Sequence, residues 1–167
     1  MRRSKVDREV KRRASQSILY PFLMIAWIIL IFCFSFQPAA DSSEVSSGLL
    51  RVVLDTLLPG VMENLSAEQQ DMLHFLVRKC AHFSEFAVLG MLSALTVSQF
   101  NIQPKHWYAL GVCVLVACVD EMIQLFSSGR SAQVADVLLD SVGAFVGLMF
   151  VFRVKKSRAC QPGGNPG

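Results

Sequence analysis

The chain has 167 residues, 53% of them hydrophobic and 17% charged, with a formal net charge of +3. Its mean hydropathy of +0.44 is too high for an ordinary soluble domain of this length and indicates a small single-domain integral membrane protein. The basic residues flank apolar stretches and form no basic face, which argues against nucleic acid as a partner.

Residues 1–17 read as a basic cytoplasmic arm, with Arg2, Arg3, Lys5, Arg8, Lys11, Arg12 and Arg13 set against Asp7 and Glu9. An apolar span follows at 18–36. It is too long for the apolar core of a secretory signal, and no small-x-small cleavage site precedes Gln37-Pro38, so it is expected to stay as a first membrane helix. Residues 37–78 form a polar, acid-leaning connection with two helix starts. Asp41 caps a segment with Glu44 at its third position. Val45, Leu49, Val52, Val53 and Leu57 then recur at helical spacing until Pro59-Gly60. Such a helix either lies on the membrane surface or packs on the outer end of a bundle. Ser66 with Gln69 makes a second capping box, whose helix is expected to run on into the next span.

Three further spans lie at 79–99, 106–126 and 133–152, each near the ~20 residues needed to cross ~30 Å of hydrocarbon. The short connections at 101–105 and 127–132 make neighbouring helices antiparallel. The tail, 153–167, opens with Arg153, Lys155, Lys156 and Arg158 and ends in a flexible Gly/Pro-rich stretch. The expected architecture is an all-α membrane protein: a four-helix transmembrane bundle over 18–152, with a helical extracytoplasmic connection at 37–78. Of 16 basic residues, the arm, Lys105 and the tail put all but Arg51, Arg78, Lys79 and Arg130 on one side. Both termini are therefore expected in the cytoplasm. Five cysteines, at 33, 80, 113, 118 and 160, include no C-x-x-C pair. They read as small apolar residues and not as a zinc, redox or disulfide framework.

That topology draws the polar residues together. The second span starts from outside and carries Lys79, His82 and Glu85 at its outer end. The third ends outside with Asp120, Glu121 and Gln124, and the fourth returns with Asp136 and Asp140. At 1.5 Å rise per residue, Glu85, Asp120 and Asp140 each sit roughly 10 Å below the outer edge. Charges at such depth need partners. Lys79 and Arg130 face five acids here, so either some carboxyls hold protons or a cation joins them. His82, Glu85 and Asp120 are the candidates for acid–base or catalytic work. The same three with Asp136 are the candidates for metal ligands. The turn Gly129-Arg130-Ser131, with Ser131 able to cap the fourth helix, suits a phosphate; it equally suits a structural turn whose arginine pairs with Glu121 or Asp136. Gly143-x-x-x-Gly147 permits close helix packing, within the chain in preference to dimerisation. No H-E-x-x-H, G-x-S-x-G or Walker motif is present, so no motif indicates a reaction class.

These residues together resemble the VanZ-like family of bacterial membrane proteins. The resemblance is carried by Lys79-x-x-His82-Phe83-x-Glu85-Phe86, then Asp120-Glu121-x-x-Gln124-x-Phe126, then Gly129-Arg130-Ser131 with Asp136, Asp140, Gly143 and Gly147. The Ser35-Phe-Gln37-Pro38 exit of the first span also fits, and the likeness covers about residues 20–152. The chain departs from the usual pattern at Phe86 (commonly Tyr), Ser128 (often Pro) and Asp140 (commonly Asn). The resemblance implies a place in the bacterial cell membrane and a role at the cell envelope, with some members linked to resistance to teicoplanin-type glycopeptides. It implies no established reaction.

Three functions fit this cluster. The first is an envelope factor whose outward site binds a lipid headgroup, a lipid-linked cell-wall precursor or a glycopeptide through Lys79, His82, Glu85, Asp120, Glu121, Gln124, Arg130, Ser131, Asp136 and Asp140. The second is a membrane hydrolase or transferase acting on a lipid-linked phosphate with His82 and Glu85 or Asp120. The third is a structural polar network in a partner-binding protein. No cofactor is established by motif, and a divalent metal is the one the residue types would suit.

Overall fold

The computed structural model describes residues 2–37, 65–100, 103–127 and 133–159, together with positions 48, 52 and 56, which are helical. The amphipathic segment expected at 45–57 lies otherwise outside the described residues, as do Gly129, Arg130 and Ser131. Regular structure among the described residues is entirely helical: α1 (Arg2–Ser35), α2 (Ala67–Val97), α3 (Lys105–Gln124) and α4 (Val134–Ala159). Each contains a stretch long and apolar enough to cross a membrane.

The helices overrun the apolar spans in ways that follow from their residues. α1 reaches back through the basic arm, because Arg and Lys are good helix formers. α2 begins at the capping box: Ser66 Oγ accepts from the Gln69 amide, and Gln69 Oε1 accepts from the Ser66 amide at 2.9 Å. With both groups satisfied, the helix continues without a break from Ala67 into the apolar run. α4 likewise carries on past Phe152 into the basic tail.

The bundle is held most tightly between α2 and α4. A Cβ on Gly143 would stand 2.5 Å from the Phe83 carbonyl oxygen, and one on Gly147 or Gly90 would collide with the carbonyl of Ala87 or Ala144. The two backbones touch, so the small-residue spacing on the fourth span serves packing within the chain. Around this seam, Phe86, Leu89, Ile31, Cys113, Val116, Ala117 and Ala144 form one buried cluster. Ala94, Ala109, Leu148 and Val151 form a second towards the other end. α1 is the least covered helix, and Ile18, Phe22, Ile25 and Ile29 stand exposed along it. In a membrane protein that face belongs to lipid. Of the cysteines, Cys113 is in the core, while Cys33, Cys80 and Cys118 are exposed free thiols.

Candidate functional site

The polar end of the bundle is built where the C-terminal ends of α1 and α3 meet the N-terminal halves of the α2 and α4 spans. Its geometry starts from the glycine seam. Phe83 follows His82, and Gly143 lies three residues after Asp140. Backbone contact between Phe83 and Gly143 therefore sets His82 and Asp140 at one level on facing helices. α3 contributes Asp120 to the same level. One ligand-type atom from each of His82, Asp120 and Asp140 lies within 4.8 Å of the others. Asp120 and Asp140 are 0% and 2% exposed, respectively.

Asp120 is held on both sides. Ser35 Oγ donates to its Oδ1 at 2.6 Å and Gln124 Nε2 donates to its Oδ2 at 3.0 Å. Ser127 Oγ in turn donates to the Ser35 carbonyl at 2.7 Å. Trp27 Nε1 donates to the Glu85 carbonyl at 2.9 Å, so α1 is pinned to α2 as well as α3. The end of the first span thus takes part in orienting a buried carboxylate of the third.

Around this centre stand further charges. Lys79 forms an ion pair with Asp136, and its ammonium lies 5.1 Å from the centroid of the Phe75 ring. Glu121 is buried; its Oε1 accepts from the backbone amide of Gln133 at 2.5 Å, just before α4 begins. That contact satisfies one orphan donor of the helix start. The remaining Glu121 oxygen, Oε2, and Asp140 Oδ1 are both buried without a hydrogen-bond partner. Such atoms are costly in a low-dielectric interior unless something binds them.

Of the residues singled out from the sequence, His82, Asp120 and Asp140 come together, with Gln124 supporting Asp120. Glu85 is half-buried one turn beyond His82. Lys79 and Asp136 pair with each other. Arg130 and Ser131 lie outside the described residues. The metal-ligand grouping differs from the sequence expectation, because Asp140 joins His82 and Asp120 within 4.8 Å while Glu85 and Asp136 do not belong to that group. Asp136 is engaged by Lys79 instead.

Trp27, Ser127 and Gln133 were not singled out by the sequence. Trp27 and Gln133 act through or upon backbone groups, and no spacing rule signals such contacts. Ser35 was noted only as part of a family-like span exit; its i-to-partner distance of 85 residues hides its role from local pattern.

A family model described as VanZ/LLP1 matches residues 20–155, and the chain belongs to that family. No curated protein and no solved structure matches it.

Proposed function

We propose, from membership of the VanZ/LLP1 family and from the polar end just described, that this membrane protein binds the polar headgroup of a lipid or of a lipid-linked cell-wall precursor. The supporting observation is that three helices bring His82, Asp120 and Asp140 within 4.8 Å of one another, beside buried oxygens of Glu121 and Asp140 that have no hydrogen-bond partner. A network serving only to join helices has every reason to satisfy its own acceptors. Acceptors left over at a membrane-helix end suit a ligand. In this reading the end lies outside the cell and both termini lie in the cytoplasm, an orientation supported by the distribution of basic residues. There it would meet outer-leaflet headgroups, and the family resemblance makes glycopeptide protection the envelope phenotype to assay.

Native mass spectrometry of the detergent-purified full chain, offered lipids with phosphate, sugar or zwitterionic headgroups, tests this directly. The wild type is expected to retain one headgroup class, and His82→Gln and Asp120→Asn are expected to lose it. Equal retention by all three proteins, each folded and monodisperse, would leave the cluster as structural glue. A second function, hydrolysis or transfer at a lipid-linked phosphate, is favoured by the closeness of His82 to two carboxylates. Release of phosphate from such a lipid, absent in His82→Gln, would distinguish it from binding alone.

A further inference from the structure

Among the described residues, the polar end gathers more acids than bases. Glu85, Asp120, Glu121, Asp136 and Asp140 are gathered there, and Lys79 is committed to Asp136. Asp120 and Asp140 are almost fully buried, at a depth where carboxylate pairs are expensive. Asp140 points an unpartnered oxygen into the interior within a group that already contains an imidazole and a second carboxylate.

We propose that His82, Asp120 and Asp140 form a binding site for one divalent transition-metal ion of the zinc or manganese type. Nitrogen and oxygen donors on a shared ion stand at most about twice the roughly 2.0–2.2 Å metal–ligand distance apart. Three donors on one ion stand only about 3.3–3.8 Å apart, so donor atoms within 4.8 Å of one another reach a common ion after each shifts by up to about 0.7 Å. An imidazole with two carboxylates selects zinc-like ions over magnesium or calcium, which prefer oxygen alone. Three protein ligands leave at least one coordination position open.

The surroundings fit a metal centre in a second way. A ligating carboxylate is normally held in place by outer hydrogen bonds, and Asp120 has them from Ser35 and Gln124. The inference deepens the headgroup function proposed above and rests on it for the role of the ion. A cation with an open position would let an acid-rich pocket hold an anionic headgroup such as a phosphate, which the carboxylates alone would repel.

The test uses the full chain, stripped with EDTA, placed in nanodiscs and titrated with Co2+ alone. About one equivalent is expected to bind with visible d–d absorption and to be displaced by Zn2+. His82→Gln and Asp140→Asn should bind at least about 100-fold more weakly, and Ser35→Ala about 10-fold more weakly, as loss of an outer hydrogen bond does. Asp71→Asn, an exposed acid on the part of α2 before the site, should bind as the wild type does. Circular dichroism and size-exclusion profiles establish that each variant is folded. A folded wild type without stoichiometric binding overturns the proposal whatever the variants do, and so does full binding by a folded His82→Gln. Repeating the lipid measurement on stripped protein separates the two levels. Headgroup retention by metal-free protein overturns the ion's part in headgroup binding and leaves headgroup binding itself standing. Stoichiometric metal with no retained lipid of any class supports the metal and sinks headgroup binding.

Discussion

The same three helices behave differently at their two ends. At the end holding Ala94, Ala109, Leu148 and Val151, the seam is made of small and aliphatic groups, with Ser93 donating to the Ala109 carbonyl at 3.1 Å and only the small Thr96 hydroxyl buried without a partner among the described residues there. At the other end, Asp120, Glu121, Gln124 and Asp140 occupy equally interior positions beside a half-buried His82, and two carboxylate oxygens remain unpartnered. Both ends are packed by one glycine seam, so tight packing alone does not account for the polar residues. The apolar end illustrates what a membrane bundle needs for cohesion: close backbones and complementary shape. The carboxylates at the polar end exceed that need.

The widest separation between the ends should come from the seam itself. Gly90→Leu drives a side chain into the Ala144 carbonyl and is expected to cost about 3 kcal/mol or more. The loss should be visible as a collapsed thermal transition in detergent. If Gly90→Leu melted like the wild type, the α2–α4 contact would not be the axis on which both ends are hung. Next in size is Lys79→Ala, which strands Asp136. The pair is 18% and 23% exposed, mostly removed from solvent, and its loss should cost about 2–3 kcal/mol. Arg153→Ala, on an exposed turn beyond the apolar end, should stay within about 0.5 kcal/mol. Equal melting of the two variants would place the Lys79–Asp136 pair in free solvent exchange.

Smaller stability effects carry the functional contrast. His82→Gln, Asp120→Asn and Asp140→Asn keep polar shape and are expected to unfold within about 1 kcal/mol of the wild type. They should nonetheless lose headgroup retention and any glycopeptide protection of a sensitive host at matched expression. Retention of both by well-expressed variants would make the two ends equivalent. Ser93→Ala is the smallest change, about 0.6 kcal/mol for an average interhelical hydrogen bond, with no effect on headgroup binding. A loss of binding in Ser93→Ala would erase the distinction between the ends.

The convergence at the polar end was legible in the sequence because it depends on only two things: alternating helix direction and rise per residue. Those place Asp120 and Asp140 at one depth without knowledge of any side chain. Partner choice was not legible. Lys79 had five acids to choose from, and its pairing with Asp136 depends on how α2 and α4 are rotated, which the glycine contacts decide. The same rotation brings Asp140 beside His82 and keeps Asp136 with Lys79. Helix limits show a similar divide. The start of α2 was marked by a capping box, whereas α1 and α4 run on through Arg- and Lys-rich stretches where hydropathy has already fallen. Ser35 and Trp27 make contacts across the bundle that no short-range periodicity encodes.

The ion pair between Lys79 and Asp136 spans 57 positions of the chain, and this separation bears on how the protein is made. At a synthesis rate of about 5–20 residues per second, the lysine is built roughly 3–11 s before its counter-charge exists. During that interval α2 is a nascent helix whose Lys79 ammonium has not met Asp136, and neither of the two buried aspartates has yet been translated at its outset. The first two spans must therefore be sheltered at the insertion machinery, or held near the interface, until α3 and α4 arrive. A chain halted by a stop codon before α4 would lack Asp136, the carboxylate that pairs with Lys79, and also the glycine seam that α4 brings to α2, making it a candidate substrate for membrane quality-control proteases.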